Sequence, residues 1–358
     1  MKTGIVGLAN SGKTTVFNAL TGQNIPATVY PTTEVEPNVG VVKVPDERVD
    51  RLAEIYRPKK VTLATVEYTD YLGITKGDPQ QNRKALEMIK DVDAVVHVIR
   101  AFEDEAVVHP AGSVDPLRDA ETLELELIFS DLELVEKRLE RMEEGAKKGK
   151  KPDEKERRVL LRCKEALEEE IPLRKLDFNE DELLSLRHLQ FISIKPEVML
   201  LNLHEDDMGT EEAASAAGEL QERFGLPVVA LSGKIEMEIA QLGREEAEEF
   251  LKDLGIEEPA MSRLISLCYE HLGLISFLTV GKDEVRAWTI KKGTTAQKAA
   301  GKIHTDIERG FIRAEVVSYR DFIQAGSMAA AREKGLVRLE GKNYVVRDGD
   351  IVNFRFNV

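Results

Sequence analysis

The sequence predicts an α/β fold in which a P-loop nucleotide-binding domain carries an inserted antiparallel helical hairpin and is followed by a β-rich C-terminal domain. Three observations predict this arrangement. The chain opens with a strand at residues 3–6, a glycine turn and a helical pattern. From residue 122, apolar residues recur at spacings of three and four. From about residue 275, the pattern changes to short strands.

The composition is that of an ordinary globular chain. Its 358 residues are enough for two or three domains, and 42% hydrophobic residues argue against wholesale disorder. A net charge of −15 argues against a protein that coats nucleic acid indiscriminately. The two cysteines, Cys163 and Cys268, suggest neither a disulfide framework nor a zinc site. No apolar run approaches the length of a membrane span, so we expect a cytoplasmic protein without a membrane partner. We also expect a monomer.

Further strand candidates of the α/β domain lie at residues 39–44, 61–68, 94–99, 197–201 and 227–231. The run at 94–99 is almost continuously apolar, as expected of a buried parallel strand. Because strands resume after the helical segment, the hairpin is predicted to be an insertion. The predicted division is 1–120 for the first part of the nucleotide-binding domain, 121–194 for the hairpin, 195–274 for the second part and 275–358 for the C-terminal domain.

The first helix of the hairpin carries a heptad seam, formed by Leu125, Ile128, Leu132, Val135, Leu139 and Met142. The pattern breaks over residues 145–152 and continues in a second helix to about residue 171. A projecting coiled-coil arm and a plain hairpin packed against the core both have this pattern. The tip, residues 145–158, holds seven Lys and Arg against three Asp and Glu. It is either a solvated turn or a basic knob.

The C-terminal region differs from the rest of the chain in pattern and charge. Strands are predicted at residues 284–290, 311–317, 344–346 and 351–356. Residues 275–358 contain 15 Lys and Arg and 10 Asp and Glu, so this part is basic on an acidic protein. Together with the hairpin tip, it suggests a surface that meets RNA through phosphate contacts.

Residues 7–14 match the phosphate-loop pattern G-x-x-x-x-G-K-[ST]. In this motif, backbone N–H groups surround phosphate oxygens, Lys13 supplies charge to the β and γ phosphates, and Thr14 offers a hydroxyl to Mg²⁺. The strand before the loop and the helix after it are the context that the motif requires. The predicted nucleotide-binding residues here are Asn10, Ser11, Gly12, Lys13, Thr14 and Thr15.

A second Mg²⁺ element is predicted at the end of the strand at 61–68. The sequence from Asp70 to Gly73 has the pattern D-x-x-G, in which Asp70 serves the metal and the Gly73 N–H faces the γ-phosphate. The alternative is an ordinary turn, in which Asp and Gly are common and have no role in binding metal or phosphate.

The base-reading motif is predicted after the strand at 197–201, where the sequence is Asn202-Leu203-His204-Glu205. Guanine readers carry N-K-x-D there, because the Asp carboxylate accepts hydrogen bonds from guanine N1–H and N2–H₂. Leu203 replaces the lysine, and Glu205 is one methylene longer than Asp. Adenine, or relaxed selectivity, is therefore the better prediction. Ser232, Gly233 and Lys234 are predicted to form a further nucleotide-contacting loop, in which Ser232 and Gly233 are the predicted site residues.

The residue that orients the attacking water in Ras-type proteins is a glutamine after D-x-x-G, and this chain has Ile74 there. Another group must replace it. His109 is a candidate catalytic residue, although a lone histidine is more often structural. Asn10 is a candidate to help hold a monovalent cation such as K⁺.

The chain resembles the YchF-type Obg-like ATPases of the translation-factor branch of P-loop GTPase-like proteins. The likeness rests on the phosphate loop with Asn10 and on segments at residues 36–42, 102–104, 112–116, 131–138, 202–205, 286–290, 303–306, 310–315 and 354–358. The resemblance implies a TGS-like β-grasp C-terminal domain, hydrolysis of ATP in preference to GTP, and association with ribosomes. It also implies a hydrophobic residue after D-x-x-G, as Ile74 is, and a histidine in the loop that holds His109.

Three positions depart from the pattern of the resembled family. The switch threonine that completes the Mg²⁺ shell aligns with Glu34, which becomes a candidate metal ligand. The resembled family has the pattern D-x-A-G, and this chain has Leu72 in place of the alanine. Residues 76–82 replace the glycine-rich stretch that follows this pattern in the family. Because these changes cluster near the γ-phosphate, they indicate a divergent paralogue with altered switching.

The leading hypothesis is a slow Mg²⁺-dependent ATPase that acts as a nucleotide switch on the ribosome. One alternative is a nucleotide-gated ribosome- or RNA-binding protein with negligible hydrolysis, which Ile74 and Glu34 favour. A second is a GTPase of the same architecture, which Glu205 disfavours.

Overall fold

The computed structural model describes residues 2–26, 37–75, 79–253 and 258–357. The candidate ligand Glu34 lies outside these ranges. The strands are β1 (Lys2–Val6), β2 (Asn38–Lys43), β3 (Lys60–Thr62), β4 (Thr65–Asp70), β5 (Ala94–Ala101), β6 (Glu197–Leu203), β7 (Val228–Leu231), β8 (Leu274–Val280), β9 (Glu284–Lys291), β10 (Phe311–Ser318), β11 (Arg338–Glu340) and β12 (Asp350–Phe356).

The helices are α1 (Lys13–Thr21), α2 (Glu47–Tyr56), α3 (Pro79–Ile89), α4 (Pro116–Lys147), α5 (Glu154–Glu168), α6 (Glu180–Leu186), α7 (Glu211–Phe224), α8 (Gly233–Gln241), α9 (Arg244–Asp253), α10 (Ala260–His271), α11 (Ala296–Ile303), α12 (Thr305–Arg309), α13 (Tyr319–Ala325) and α14 (Met328–Glu333). In the described part of the chain, no helix is both long enough and apolar enough to cross a bilayer.

The first sheet has the strand order β2-β4-β1-β5-β6-β7, and β4, β1, β5, β6 and β7 run parallel. Strand β6 is buried along its whole length, and β5 is buried except at its last residue, which explains their continuous apolar runs. Since the strands are parallel, their carboxyl ends meet at one edge of the sheet. The α/β fold and the strand–loop–helix start are confirmed.

The hairpin has a core of its own beyond its root. Leu123 and Leu127 of α4 pack with residues of the first sheet, whereas Ile128, Val135 and residues farther along pack against α5. Arg138 pairs with Glu156 across the two helices. Helix α4 therefore has a root on the first sheet, and its seam residues from Ile128 to Met142 belong to a two-helix segment beyond it. Its description as a coiled coil stays a prediction.

The second sheet is mixed, with the order β11-β10-β12-β8-β9-β3. Its core contains Phe277, Ile290, Val316 and Phe354, with Ala296, Ala299 and Ala300 of α11. The strands predicted at 284–290, 311–317 and 351–356 are confirmed. The strand predicted at 344–346 is wrong, since only an isolated bridge joins Val345 to Thr295. The TGS-like assignment stays a prediction.

The compact units differ from the predicted domains. One unit comprises residues 1–40 and 67–261, and the other comprises 41–66 and 262–358. The single strand predicted at 61–68 is two strands, because β3 pairs with β9 while β4 joins the first sheet. Arg48 pairs with Asp348 and Tyr56 stacks on Phe322, which secures residues 41–66 in the second unit. Such contacts join residues far apart in sequence, so local patterns did not predict them.

Candidate functional site

A cavity of about 790 Å³ lies at the carboxyl edge of the first sheet. The segments that follow β1, β4, β5, β6 and β7 contribute to its walls, which is where open α/β sheets bind ligands. The predicted site residues that line it are Asn10, Gly12, Lys13, Thr14, Thr15, Asp70, Gly73, Asn202, Leu203, Glu205 and Ser232.

The phosphate loop is shaped by backbone conformations that glycine and asparagine adopt readily. Gly12 has φ 89° and Asn10 has φ 61°. A Cβ at Gly12 would lie 2.2 Å from the Asn202 amide nitrogen, so only glycine fits there. Gly12 is also the N-cap residue of α1, and no side chain caps the helix there. The first N–H groups of that helix are thus available to an anion.

Lys13 lies buried at the base of the loop, where its Nζ donates a 2.8 Å hydrogen bond to the Leu8 carbonyl. Burial lowers the pKa of Lys13 to about 8, and the Asp70 carboxylate opposes that shift. The side-chain hydroxyls of Ser11 and Ser232 are buried, and within the described residues they find no hydrogen-bond partner. Lys13 and Ser232 line the cavity, where a ligand could satisfy them, whereas Ser11 is not among the described lining residues.

Two of the three predicted Mg²⁺ ligands, Thr14 and Asp70, are in direct contact. Thr14 Oγ1 donates a hydrogen bond to Asp70 Oδ2 at 2.8 Å. The other oxygen, Asp70 Oδ1, is buried and has no hydrogen-bond partner in the described part of the chain. Burial raises the pKa of Asp70, while Lys13 and the hydrogen bond from Thr14 oppose it. A hydroxyl and a carboxylate with one unsatisfied oxygen are the kind of oxygen donors that Mg²⁺ prefers, so these residues fit the ion.

The segment after Asp70 lies against the phosphate loop. A Cβ at Gly73 would lie 2.7 Å from Ala9 Cα and 2.8 Å from Lys13 Nζ, so a larger residue would displace the loop. Ile74 is fully buried, and its backbone exchanges hydrogen bonds with Gly7 and Ala9. Its side chain faces the core and cannot orient water in the cavity.

Asn202 connects two loops at the base-reading end. Its Nδ2 donates to the Ser11 carbonyl at 3.1 Å, and its Oδ1 accepts from the Gly233 N–H at 2.9 Å. Both polar ends are therefore used within the protein. Its role in this structure is to join the phosphate loop to the start of α8.

Glu205 is paired with Lys234 of the predicted loop, whose role as its partner the sequence analysis missed. Lys234 Nζ lies 2.9 Å from Glu205 Oε1, and the hydrogen bond from Lys234 lowers the pKa of Glu205. The signal available in the sequence was a lysine directly after Ser232 and Gly233. Its partner, 29 positions earlier, was not visible in any local pattern.

Arg100 is a residue that the sequence analysis missed. Its guanidinium stacks on Phe102 in the cavity wall, at 4.5 Å from the ring centroid. It donates hydrogen bonds to the carbonyls of Phe102 and Val107 at 3.0 and 2.9 Å, and a longer one of 3.4 Å to Asn10. A single arginine near the end of a buried strand whose only other polar residue is His97 was the available signal.

His109 is not brought to the cavity. Among the described residues that line it, Val107 is present and His109 is not. His109 is buried, and its Nε2 lies 2.8 Å from Asp119 Oδ2 on α4. The loop itself touches the phosphate loop, because Asn10 Nδ2 donates to the Val108 carbonyl at 3.0 Å.

The basic residues singled out in the sequence are on the surface within each unit. On the hairpin tip, Lys147, Lys148, Lys150, Lys151, Lys155 and Arg158 are exposed and Arg157 is half-buried. In the second unit, the exposed residues are Lys291, Lys292, Lys298, Lys302, Arg309 and Arg313. Across the described ranges, no cluster of three or more His, Cys, Asp or Glu side chains is arranged to hold a metal ion.

Comparison with family models gives two matches. A model described as "50S ribosome-binding GTPase" matches residues 2–130. The model YchF-GTPase_C, described as a protein of unknown function, matches residues 274–357.

Curated relatives match along the whole chain. The Ribosome-binding ATPase YchF of Bacillus subtilis is 46% identical over 366 residues, which cover 99% of each chain. The Ribosome-binding ATPase YchF of Escherichia coli O157:H7 is 42% identical, covering 100% of this chain and 99% of the relative.

Solved structures also match along nearly the whole chain. The Schizosaccharomyces pombe YchF GTPase has a TM-score of 0.83 at 33% identity and covers 99% of this chain and 97% of its own. A GTP-binding protein from Pyrococcus horikoshii matches with a TM-score of 0.59 at 20% identity, covering 100% of both chains, which supports the fold alone.

Proposed function

Because the chain belongs to the YchF family, we propose that it is a Mg²⁺-dependent P-loop nucleotide hydrolase that turns over ATP slowly, in preference to GTP, and acts as a switch on the ribosome. The observation that carries the proposal is the contact between Thr14 and Asp70 beside the buried Lys13. It collects a hydroxyl, a carboxylate and a cationic amine at the phosphate end of one cavity.

Thr14 and Asp70 are the residues that would hold Mg²⁺, and Glu34 remains a sequence-based candidate for a further ligand. When bound, the ion offsets the negative charge of the phosphates. The N–H groups at the start of α1 and the Lys13 ammonium bind the same phosphates from the protein side. The positions of these groups are set by secondary structure, so little has to be ordered when a nucleotide enters.

The preference for ATP rests on Glu205 and Leu203. A guanine reader needs a carboxylate free to accept from two ring N–H groups. Here the carboxylate of Glu205 is paired with Lys234 at 2.9 Å, and Leu203 offers an apolar side chain. Adenine lacks that pair of donors and does not require the free carboxylate. Relaxed selectivity with ATP preferred is the expected result.

Slow turnover follows from the surroundings of Ile74 and His109. Ile74 is buried in the core, so no side chain at that position orients water. We assign that task to His109, which is held against Asp119 in this structure. Turnover is then limited by how often His109 reaches the cavity. The buried Ile74 equally favours a second candidate function, a nucleotide-gated binding protein with negligible hydrolysis.

The ribosome is the proposed partner because the relatives are named ribosome-binding ATPases and one matching family model describes a ribosome-binding GTPase. Exposed lysines and arginines on the hairpin tip and in the second unit suit contact with RNA phosphates. A protein of this kind acts in the cytoplasm.

Calorimetric titration with non-hydrolysable ATP and GTP analogues tests the nucleotide part, with Mg²⁺ and either K⁺ or Na⁺ present. We expect the wild type to prefer the ATP analogue by about tenfold, or about 1.4 kcal/mol. The double variant Leu203→Lys, Glu205→Asp should shift towards the GTP analogue. A wild type that prefers GTP would make the protein a GTPase of this architecture. Single-turnover hydrolysis separates the slow enzyme from the non-hydrolysing binder.

Co-sedimentation with ribosomes at increasing salt tests the partner. The variant Lys150→Glu, Lys151→Glu should bind more weakly and with a shallower salt dependence than the wild type. The matched control, Lys43→Glu, Lys252→Glu, makes the same charge change at exposed lysines outside both basic clusters. Equal losses in the two variants would show that total charge, rather than the hairpin tip, governs binding.

A further inference from the structure

His109 is the buried residue of a short loop whose neighbouring residues 108 and 110–113 are all exposed. The side chains of His109 and Asp119 are 5% and 4% exposed, and 2.8 Å separates Nε2 from Asp119 Oδ2. His109 Nδ1 accepts a 3.1 Å hydrogen bond from the Ala111 N–H. In the neutral ring, the hydrogen is therefore on Nε2. Asp119 Oδ2 lies at ion-pair distance from this nitrogen but, among the described residues, accepts no hydrogen bond of good geometry, so the contact is a close approach of two buried groups.

Asp119 is itself held firmly. It lies in the first turn of α4, which Asp115 caps by accepting from the Arg118 N–H. The Arg118 guanidinium donates to Asp119 Oδ1 at 3.0 and 2.8 Å, and it also bonds Ser113. The carboxylate is thus fixed on a capped helix. Of the two partners, the histidine on the loop is the one that can move.

The loop before His109 is anchored beside the cavity. Arg100 holds the Val107 carbonyl and Asn10 holds the Val108 carbonyl. Val107 already lines the cavity, two residues before His109. After it, Gly112 has φ 81°, a conformation in which glycine permits a local rearrangement. A change in conformation confined to residues 109–112 would therefore move the His109 imidazole away from Asp119 and into the cavity.

We infer that Asp119 is a positioning residue that stores His109 outside the cavity, and that hydrolysis proceeds from the minority state in which this contact is broken. The inference rests on the proposed function, because it assigns His109 a task in nucleotide hydrolysis. The observed rate is then the intrinsic rate multiplied by the fraction of molecules with His109 released. Weakening the contact should raise kcat and leave KM unchanged, since no nucleotide-binding group is altered.

The contact can be tested without any nucleotide, by the rate at which diethyl pyrocarbonate modifies His109. Peptide mass spectrometry resolves each histidine, so exposed His188 and buried His97 serve as fast and slow references in the same molecule. We expect modification of His109 to be about tenfold faster in Asp119→Ala and Asp119→Asn than in the wild type. Asp119→Asn preserves the side-chain volume if the alanine variant folds poorly.

The matched control is Asp131→Asn. Asp131 is another buried aspartate of α4, and it bonds Ile192 and Ser193 rather than the His109 loop. Its substitution should leave modification of His109 at the wild-type rate. Single-turnover assays then compare both Asp119 variants with Asp119→Asn, His109→Ala, which should lose the gain in rate.

Equal modification of His109 in the wild type and both Asp119 variants would overturn the storage contact. Faster modification together with slower hydrolysis would show that Asp119 aids His109 in catalysis, and would overturn its storage role. Faster modification with no hydrolysis in any variant would contradict the proposed hydrolase activity, whereas the storage contact between His109 and Asp119 would stand.

Discussion

Thr14 Oγ1 donates a hydrogen bond of 2.8 Å to Asp70 Oδ2, which joins the first turn of α1 to the end of β4. The two groups are 56 positions apart in the chain. Because Asp70 Oδ1 is buried without a partner among the described residues, the pair has one oxygen unsatisfied. This is the structural basis on which we expect Mg²⁺ to strengthen nucleotide binding.

Replacement of Thr14 by alanine should abolish most of that strengthening. We expect the ratio of nucleotide affinity with Mg²⁺ to affinity in EDTA to fall by about tenfold or more, since one oxygen ligand is lost. Thr14→Ser, which preserves the hydroxyl, should retain the ratio. Calorimetry with a non-hydrolysable analogue measures both. A ratio that is the same in Thr14→Ala and Thr14→Ser would exclude Thr14 as a ligand.

Nucleotide affinity should fall as the pH rises through about 8, because burial lowers the pKa of Lys13 to that value. Below this pH, the free protein presents a charged amine to the phosphates, and above it binding must take up a proton. The loss approaches about tenfold per pH unit when one proton is linked. Titrations from pH 7 to 9.5 measure it, and Lys13→Arg, whose side chain stays charged, should show a flat profile.

Asn202→Ala should lower the affinity for ATP and GTP analogues by the same factor. The substitution removes the bond to Ser11 and leaves the Gly233 N–H unpaired, so we also expect a loss of about 2–4 kcal/mol in the free energy of unfolding. Asn18→Ala is the matched control, because Asn18 is equally buried and both of its ends bond Ile25. It should lose similar stability with a smaller effect on binding. A change in ATP–GTP selectivity in Asn202→Ala would contradict the joining role.

As the pH rises from about 4 to about 6, Asp131 should lower the free energy of unfolding. Burial raises the pKa of this carboxyl from 3.8 to about 6, although hydrogen bonds from Ser193 and Ile192 oppose the shift. The folded state therefore binds the proton more tightly than the unfolded chain, and this advantage disappears as the pH rises through the folded value. Urea unfolding at pH 4.5 and pH 7 should show a wild-type loss about 2 kcal/mol larger than that of Asp131→Asn. Parallel losses in the two proteins would contradict this assignment.

The phosphate loop and the hairpin were predictable because each depends on neighbouring residues. The pattern at residues 7–14 predicts the loop that precedes α1, and the heptad spacing predicts α4. The helix break predicted at 145–152 is observed between Lys147 and Glu154. Buried β5 and β6 were recognisable from largely apolar runs.

Other features depend on partners that local patterns do not reveal. Residues 60–62 have strand character, but only their pairing with β9 assigns them to the second sheet. The sequence argument about Glu205 used the extra methylene of its side chain, yet its pairing with Lys234 determines whether its carboxylate is free to accept a hydrogen bond from a base. The surroundings of His109 likewise depend on Asp119.

The sequence by itself determined the chemistry of this protein: a phosphate loop, a hydroxyl and a carboxylate for Mg²⁺, and an apolar residue where a water-orienting glutamine is usual. Spacing along the chain is sufficient for these, because neighbouring residues build them. Only the tertiary structure decided which groups are free to act. His109 is held by Asp119 and Asn202 by Ser11 and Gly233, because burial and long-range hydrogen bonds arise only when distant segments pack together.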